Sequence, residues 1–250
     1  MIPLKSEEDL RILSEAGRIL AGVIQRLEGC VRPGVSTAEV SSLAEELICQ
    51  ANCRPAFKGY RGYPAAACVS LNEEVVHGIP GPRIITDGDI VSIDVGIEYE
   101  GYFVDSAVTL PVGKVESRTR KLIEVTRKAL SEGIRQARVN NRLFDISYAV
   151  QRCVEKNGFS VVRDFVGHGI GRELHEEPEI PNFGQPRRGI PLKKGMVLAI
   201  EPMVNMGGWE TRVLDNGWTA VTKDGTPSAH FEHTIAITDE GPKILTHLNG

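Results

Sequence analysis

Apolar residues recur every three or four positions in four stretches of the chain, the spacing that places them on one face of an α-helix. The stretches form two pairs, and a short polar or Pro/Gly loop joins the members of each pair. The predicted helices cover about residues 6–29, a segment that begins at the capping box of residues 36–39, about residues 117–138 and about residues 145–157.

Short apolar runs of the kind found in β-strands follow each helix pair. They lie at residues 68–71 and 90–110 in the first half of the chain, and at residues 161–166, 196–204 and 231–237 in the second. The halves also match in detail, because residues 88–94 (GDIVSID) and 195–201 (GMVLAIE) both consist of a glycine, an apolar strand and a carboxylate.

These patterns predict an α+β fold with an internal pseudo-two-fold repeat. We expect one domain over residues 1–250, with halves of about residues 1–112 and 113–250, and with two helix pairs packed on one face of an antiparallel sheet.

Composition narrows the class of protein. The 250 residues are 41% hydrophobic and 25% charged, which is typical of a globular chain, and the net charge of −4 lacks the general basicity of a nucleic-acid binder. No secretory signal or membrane-spanning run is present, so we expect a cytoplasmic protein without a membrane partner. Five cysteines without CxxC spacing argue against a disulfide framework or a zinc ribbon.

Asp94 is the first residue that suggests chemistry, since it interrupts the apolar run of residues 90–96. A buried carboxylate without compensation costs several kcal/mol or becomes protonated. Asp105 follows eleven residues later, and a hairpin turn near residues 98–101 would bring the two aspartates close to opposite one another. Taken alone, the pair fits two interpretations equally: two carboxyl groups that share a proton, or two ligands of a divalent cation.

Three further residues favour the cation. Glu201 ends a second apolar strand, Glu232 lies at the start of a third, and His168 stands between two glycines. Four carboxylates and one imidazole are more ligands than one catalytic zinc uses. They suit two Mn²⁺, Fe²⁺ or Co²⁺ ions that share bridging carboxylates, an arrangement that performs hydrolysis.

Two other histidines flank this set in the sequence. His77 and His175 are either surface loop residues or neutral imidazoles that donate a proton to an oxyanion or a departing amine. We assign structural roles to His230, His233 and His247.

Several segments together carry a resemblance to a known family. They are residues 57–60 (FKGY), residues 72–78 (NEEVVHG), Asp94 with Asp105, residues 167–171 (GHGIG), residues 201–202 (EP) and residues 231–234 (FEHT). In these segments, and along nearly its whole length, the chain resembles the type I methionine aminopeptidases of metallopeptidase family M24, which have the pita-bread fold. The resemblance implies an enzyme that removes the N-terminal methionine from nascent polypeptides when the second residue is small. We expect a monomer by default.

The resemblance also implies a role for each candidate ligand. Asp105 and Glu232 would bridge the two metal ions, His168 and Glu201 would complete one site, and Asp94 would chelate the other. A hydroxide held between the ions would attack the first peptide bond.

Further roles follow from the same resemblance. Glu201 would move the proton, His175 would bind the oxyanion, and His77 would contact the amide nitrogen after methionine. The methionine pocket would be lined by Tyr60, Tyr63, Cys68 and Trp218, and the alternative is that these are ordinary core residues. Leu174 stands where some relatives carry phenylalanine, so we expect a wider pocket mouth.

Two alternative functions remain open at this stage. The proline-directed aminopeptidase P and prolidase share the metal ligands, although they usually carry a large N-terminal domain. A non-enzymatic module of the same fold would only bind a partner. Separately, the basic residues within residues 117–142 form either a solvated face or a weak contact with ribosomal RNA.

Overall fold

Two helix pairs are present in the computed structural model, which describes residues 2–248. The predicted pairing is confirmed, and the helix ends differ from the predicted ones by a few residues. The α-helices of the described chain are α1 (Glu7–Cys30), α2 (Thr37–Gln50), α3 (Ser117–Gln136) and α4 (Leu143–Glu155), and a short 3-10 helix covers Tyr60–Gly62.

Capping boxes determine where the first two helices begin. Ser36 accepts a hydrogen bond from the Glu39 N–H at 3.2 Å, and the Glu39 carboxylate accepts one from the Ser36 N–H at 2.8 Å. Ser6 and Asp9 make the same reciprocal pair before α1. Each box satisfies N–H groups that the first helical turn leaves without a partner.

The strands of residues 2–248 form one large sheet and two small ones. The strands of the large sheet that matter for the site are β2 (Cys68–Leu71), β4 (Ile90–Tyr99), β5 (Tyr102–Pro111), β7 (Gly167–Gly169), β8 (Glu176–Ile180), β9 (Val197–Ile200) and β14 (Glu232–Ile237). The remaining strands are β1 (Arg54–Pro55), β3 (Glu74–Val76), β6 (Ser160–Val161), β10 (Met203–Asn205), β11 (Thr211–Val213), β12 (Ala220–Thr222), β13 (Ser228–His230) and β15 (Pro242–Ile244).

The large sheet is antiparallel throughout and has the order β1-β4-β5-β14-β9-β7-β8, with β2 on β4 and β15 on β14. The repeated strands β4 and β9 flank the central pair β5 and β14, so the two halves of the chain meet in the middle of one sheet. This arrangement agrees with the predicted pseudo-two-fold fold. The assignment of residues 1–250 to one domain stays a prediction.

Alternation along the strands separates a helix-covered face from the opposite face. Ile93 and Val104, the neighbours of Asp94 and Asp105, belong to the apolar cluster that includes residues of α1 and α2. Ile200, the neighbour of Glu201, belongs to the cluster that includes residues of α3 and α4. Both helix pairs therefore cover one face of the sheet, and the carboxylates point to the other.

Two predictions of local structure were wrong. The strand predicted at residues 161–166 is confined to Ser160–Val161, and the strand predicted at residues 196–204 breaks at Glu201 and Pro202. Proline lacks the N–H that a continued ladder would require. The break separates β9 in the large sheet from β10 in a small one.

Candidate metal centre

Four carboxylates lie on, or at the end of, four neighbouring strands. Asp94 is on β4, Asp105 on β5, Glu232 on β14 and Glu201 directly after β9, and these strands are consecutive in the sheet. Asp105 is paired with Gly96, and Asp94 with Ala107, so the aspartates are diagonal neighbours on one face. The sequence predicted them close to opposite one another, and the register displaces them by one step of two residues.

His168 completes the cluster from β7, the next strand after β9. Its Nε2 lies 3.5 Å from Asp105 Oδ2 and 3.5 Å from Glu201 Oε1. Asp105, His168 and Glu232 are all buried, and each offers a ligand atom within 4.8 Å of the other two. All five predicted ligands line the same cavity. The fold therefore brings together residues that lie up to 138 positions apart in the chain, from 94 to 232.

Burial and mutual repulsion place this cluster under electrostatic stress. Burial, together with the charge of Asp105, raises the pKa of Asp94 and of Glu232 well above the usual range of carboxyl groups. Burial likewise raises the pKa of Glu201. Burial opposes a charge on His168, but the hydrogen bond and charge of Asp105, together with Glu201, raise its pKa to about 9. One imidazole cannot neutralise four carboxylates.

The donor set fits divalent metal ions. Asp94 Oδ1 is buried without a hydrogen-bond partner in the described part of the chain, although a buried carboxylate oxygen normally accepts a bond. Oxygen-rich clusters of this kind are the ligand sets that hard and intermediate divalent cations prefer. A cation would supply the positive charge that the surrounding side chains lack.

Hydrogen bonds outside the cluster orient its members. His168 Nδ1 lies 2.9 Å from the Gly169 carbonyl oxygen, which turns Nε2 towards the carboxylates. The Thr234 hydroxyl lies 2.8 Å from the Asp105 carbonyl oxygen and 3.2 Å from Asp105 Oδ1. Such partners hold ligands in place before a metal binds.

Gly169 allows two strands to approach one another beside His168. A Cβ at this position would collide with the Glu177 carbonyl oxygen on β8. Glycine at this position therefore lets the backbones of β7 and β8 come close together.

The cavity that the five candidate ligands line has a volume of about 160 Å³, and the rest of its wall is largely aromatic and apolar. Its aromatic wall is tightly packed: the rings of Tyr63 and Trp218 meet edge to face at 5.1 Å, and His77 meets Trp218 at 6.3 Å. The predicted pocket residues that line it are Tyr60, Tyr63, Cys68 and Trp218. Phe57, Arg61 and Leu174 also line it.

The two candidate donor histidines lie at this cavity rather than on a remote surface. His175 stacks on Tyr60 and lies 4.2 Å from His168, ring centre to ring centre. Burial lowers the pKa of His77, and burial together with the charge of His168 lowers the pKa of His175 to about 4. His77 also has a positive φ of 59°, a backbone conformation that costs energy for a residue with a side chain.

The sequence analysis did not place His230 near the site, yet its Nε2 lies 3.7 Å from Glu201 Oε2. This nitrogen has no hydrogen-bond partner among the described residues, and burial lowers its pKa to about 3. The available signal was its place two positions before Glu232, although residue 231 separates β13, which ends at His230, from β14. His233 instead pairs with Thr246 at 2.9 Å, as a structural residue would.

The class of protein follows from comparison with known proteins. The sequence profile of metallopeptidase family M24 matches residues 11–239. A prolidase from Pyrococcus horikoshii, 23% identical, superposes with a TM-score of 0.80 over 97% of this chain and 63% of its own, which shows a shared fold.

More similar relatives give the family within that class. Methionine aminopeptidase of Clostridium perfringens is 52% identical over 98% of this chain and 99% of its own, and methionine aminopeptidase 1 of Bacillus subtilis is 51% identical over 99% and 100%. The crystal structure of the Thermotoga maritima methionine aminopeptidase, 48% identical, superposes with a TM-score of 0.97 over 99% and 100%. The chain belongs to the methionine aminopeptidases of metallopeptidase family M24. The predicted family and pita-bread fold are thereby confirmed.

None of the helices in residues 2–248 combines the length and the apolar character that crossing a bilayer requires.

Proposed function

We propose that this chain removes the N-terminal methionine from polypeptides whose second residue is small. The observation that carries the proposal is the juxtaposition of a buried cluster of four carboxylates and a histidine with an aromatic-walled cavity of about 160 Å³. The cluster suits metal-assisted hydrolysis, and the aromatic wall of the cavity suits the binding of one apolar side chain.

Two divalent cations, Mn²⁺, Fe²⁺ or Co²⁺, would be held by Asp94, Asp105, His168, Glu201 and Glu232. When bound, such ions lower the pKa of water towards neutrality and polarise the carbonyl of the scissile amide. The carboxylates are the part of the site that this chain contributes in advance, and their uncompensated charge supports the assignment.

The methionine side chain would occupy the cavity lined by Tyr60, Tyr63, Cys68 and Trp218. Sulfur and methyl groups pack favourably against aromatic edges. Cys68 on β2 is paired with Asp94 on β4, so a methionine in this cavity would present its α-amino group close to Asp94. An internal peptide bond has no free amine, and a requirement for one makes the enzyme an exopeptidase.

Tyr60 would determine which nitrogen of His175 carries the proton. The Tyr60 hydroxyl lies 2.9 Å from His175 Nδ1. If the hydroxyl donates, Nδ1 accepts and the proton of the neutral imidazole stays on Nε2. Nε2 would then donate to the oxygen of the scissile carbonyl as negative charge develops there.

Glu201 and His77 would handle the leaving group. Glu201 would take a proton at a carboxylate oxygen and pass it to the departing amine, and His77 would hold the amide nitrogen of the residue after methionine. Leu174 lies at the same cavity and would shape the space for that second residue.

The cellular setting is also part of the proposal. We expect a cytoplasmic monomer that acts on nascent chains, with at most a weak ribosome contact through α3. The exposed basic residues of this helix include Arg118 and Lys121, which contact the Met206 and Asn157 carbonyl oxygens of the chain itself. Co-sedimentation with ribosomes at low salt that disappears at high salt would support the contact, and salt-independent binding would contradict it.

Release of free methionine from Met-Ala-Ser and Met-Leu-Ser tests the enzymatic proposal. The metal-stripped protein should be inactive, and Mn²⁺ or Co²⁺ should restore cleavage of Met-Ala-Ser alone. Cleavage of Xaa-Pro peptides instead would favour a proline-directed enzyme. Failure to cleave any peptide with any metal would favour a binding module.

A further inference from the structure

Lys5 is the one lysine or arginine side chain that is buried in the described part of the chain. Buried cations are rare and persist when they are paired. Lys5 Nζ pairs with the Glu176 carboxylate, and the side chains of the two residues retain only 5% and 8% of their exposure. The partners lie 171 positions apart, so the pair joins the start of the chain to the loop beside the candidate metal centre.

Glu176 holds the loop of residues 170–175, which joins β7 to β8 and carries His175. Its Oε1 accepts hydrogen bonds from the backbone N–H groups of Arg172 at 2.7 Å and of Glu173 at 3.3 Å. The Glu176 carboxylate therefore fixes the beginning of the loop, and the Glu176 backbone directly follows His175 at its end. Gly171, at the start of the loop, lies so close to the Lys5 side chain that a Cβ on this glycine would collide with Lys5 Cε.

The N-terminal segment is itself anchored. The Lys5 N–H donates to the Gly195 carbonyl oxygen at 2.7 Å, in the turn before β9. A second, more exposed contact reinforces the loop from α1, since Arg172 Nη2 lies 3.7 Å from Asp9 Oδ1 and its guanidinium covers the Tyr102 ring. Lys5 thus links a fixed turn of the sheet to the loop.

Stability alone is a weak reason for such a pair, because the desolvation of two charges offsets most of their attraction. The position of His175 is a stronger reason for the pair. His175 is exposed on one side, and its place depends on Tyr60, on His168 and on the loop backbone. A displacement of about 1 Å of a catalytic group can lower a rate by about 10²-fold.

We propose that Lys5 is a positioning residue that holds His175 in its working place through Glu176. The proposal rests on the proposed function, since it assigns His175 a part in the reaction. Lys5 touches neither the cavity nor the candidate ligands and acts only through the loop.

Lys5→Met tests the proposal by kinetics of methionine release from Met-Ala-Ser. We expect kcat to fall by about tenfold or more with KM within about twofold, because the loop loses its position whereas the residues assigned to the methionine pocket lie outside the loop. The control is Lys194→Met, which removes an exposed pair with Asp239 and should leave both parameters within about twofold of the wild type.

A double-mutant cycle separates positioning from general destabilisation. In a His175→Ala background, Lys5→Met should lower the residual kcat by less than about twofold, because the group it positions is already gone. An equal loss in both backgrounds would overturn the proposal. Should Lys5→Met fold poorly because Glu176 is left as a buried unpaired charge, Lys5→Met/Glu176→Gln removes both charges and serves for the same cycle.

Hydrogen exchange of the metal-free protein gives a readout independent of activity. The amides of Arg172 and Glu173 should exchange about tenfold faster or more in Lys5→Met and remain unchanged in Lys194→Met. Unchanged exchange in Lys5→Met would overturn the proposal. A wild-type chain without activity would remove the proposed function, whereas an active wild type with unaltered Lys5→Met kinetics would remove only the positioning role.

Discussion

Tyr60 and His175 lie 115 positions apart in the chain, and their rings stack at 5.2 Å with an interplanar angle of 25°. The hydroxyl of Tyr60 reaches Nδ1 of His175 at 2.9 Å, so one residue of the first half supports and orients a histidine of the second. The candidate site therefore depends on how the two halves meet, and not on either half alone.

Tyr60→Phe keeps the stacked ring and removes the hydroxyl. We expect kcat for methionine release to fall by about tenfold with a small change in KM, because His175 loses the bond that selects its tautomer. Tyr148→Phe is the matched control, since Tyr148 is exposed on α4 and lies outside the cavity. Equal kcat values for the two variants would contradict the role of the hydroxyl.

Removal of metal should lower the thermal stability of the protein. Without cations, the buried carboxylates repel one another, and a ligand at 100 times its Kd adds about 2.7 kcal/mol to the free energy of unfolding. A calorimetric scan with and without Mn²⁺ measures the shift in Tm. Identical Tm values at saturating Mn²⁺ and after chelation would argue against a metal centre.

Asp94→Asn should reduce the loss of thermal stability that follows removal of metal. The variant removes a carboxyl group whose ionisation burial and the charge of Asp105 oppose, so the Tm of the metal-free protein should rise, whereas the increase caused by Mn²⁺ should become smaller. A metal-free variant less stable than the metal-free wild type would show that the Asp94 charge is compensated by another group.

Gly169→Ala should destabilise the fold at the strand that carries His168. The added Cβ collides with the Glu177 carbonyl oxygen, and we expect a loss of about 2 kcal/mol or more in urea unfolding. Gly22→Ala in α1 is the control, because its Cβ meets no atom within 4 Å. Gly22→Ala should add about 0.5–1 kcal/mol to the free energy of unfolding, because alanine has a higher helix propensity than glycine. Similar effects of both substitutions would contradict the close approach of β7 and β8.

Asp9 should make a pH-dependent contribution to stability. The hydrogen bond from Tyr102, followed by the bonds from Ser6, lowers its pKa from 3.8 to about 2. A carboxyl group with a lowered pKa in the folded state stabilises the protein above about pH 4, and this contribution disappears as the pH falls towards about 2.

Urea unfolding of the wild type and of Tyr102→Phe measures this contribution. The difference in the free energy of unfolding should be largest above about pH 4 and shrink at lower pH. A difference that stays constant from about pH 6 to about pH 3 would show that Tyr102 acts through packing alone.

The sequence by itself determined the helix pairs, the strands that carry or precede the four carboxylates, and the membership of the candidate ligand set. Helix periodicity and capping are local properties, so α1 and α2 begin at capping boxes formed by adjacent residues of the chain. A carboxylate within an apolar strand is also a local signal, because its burial requires compensation wherever the strand lies.

Only the tertiary structure decided how those residues meet. The one-step displacement of Asp94 from Asp105 follows from a turn at residues 100 and 101, and the early end of β6 depends on pairing with β10. The approach of His230 to Glu201 and the burial of Lys5 against Glu176 join residues 29 and 171 positions apart. Such contacts are set by strand order and packing, and a single sequence pattern carries information only about neighbours along the chain.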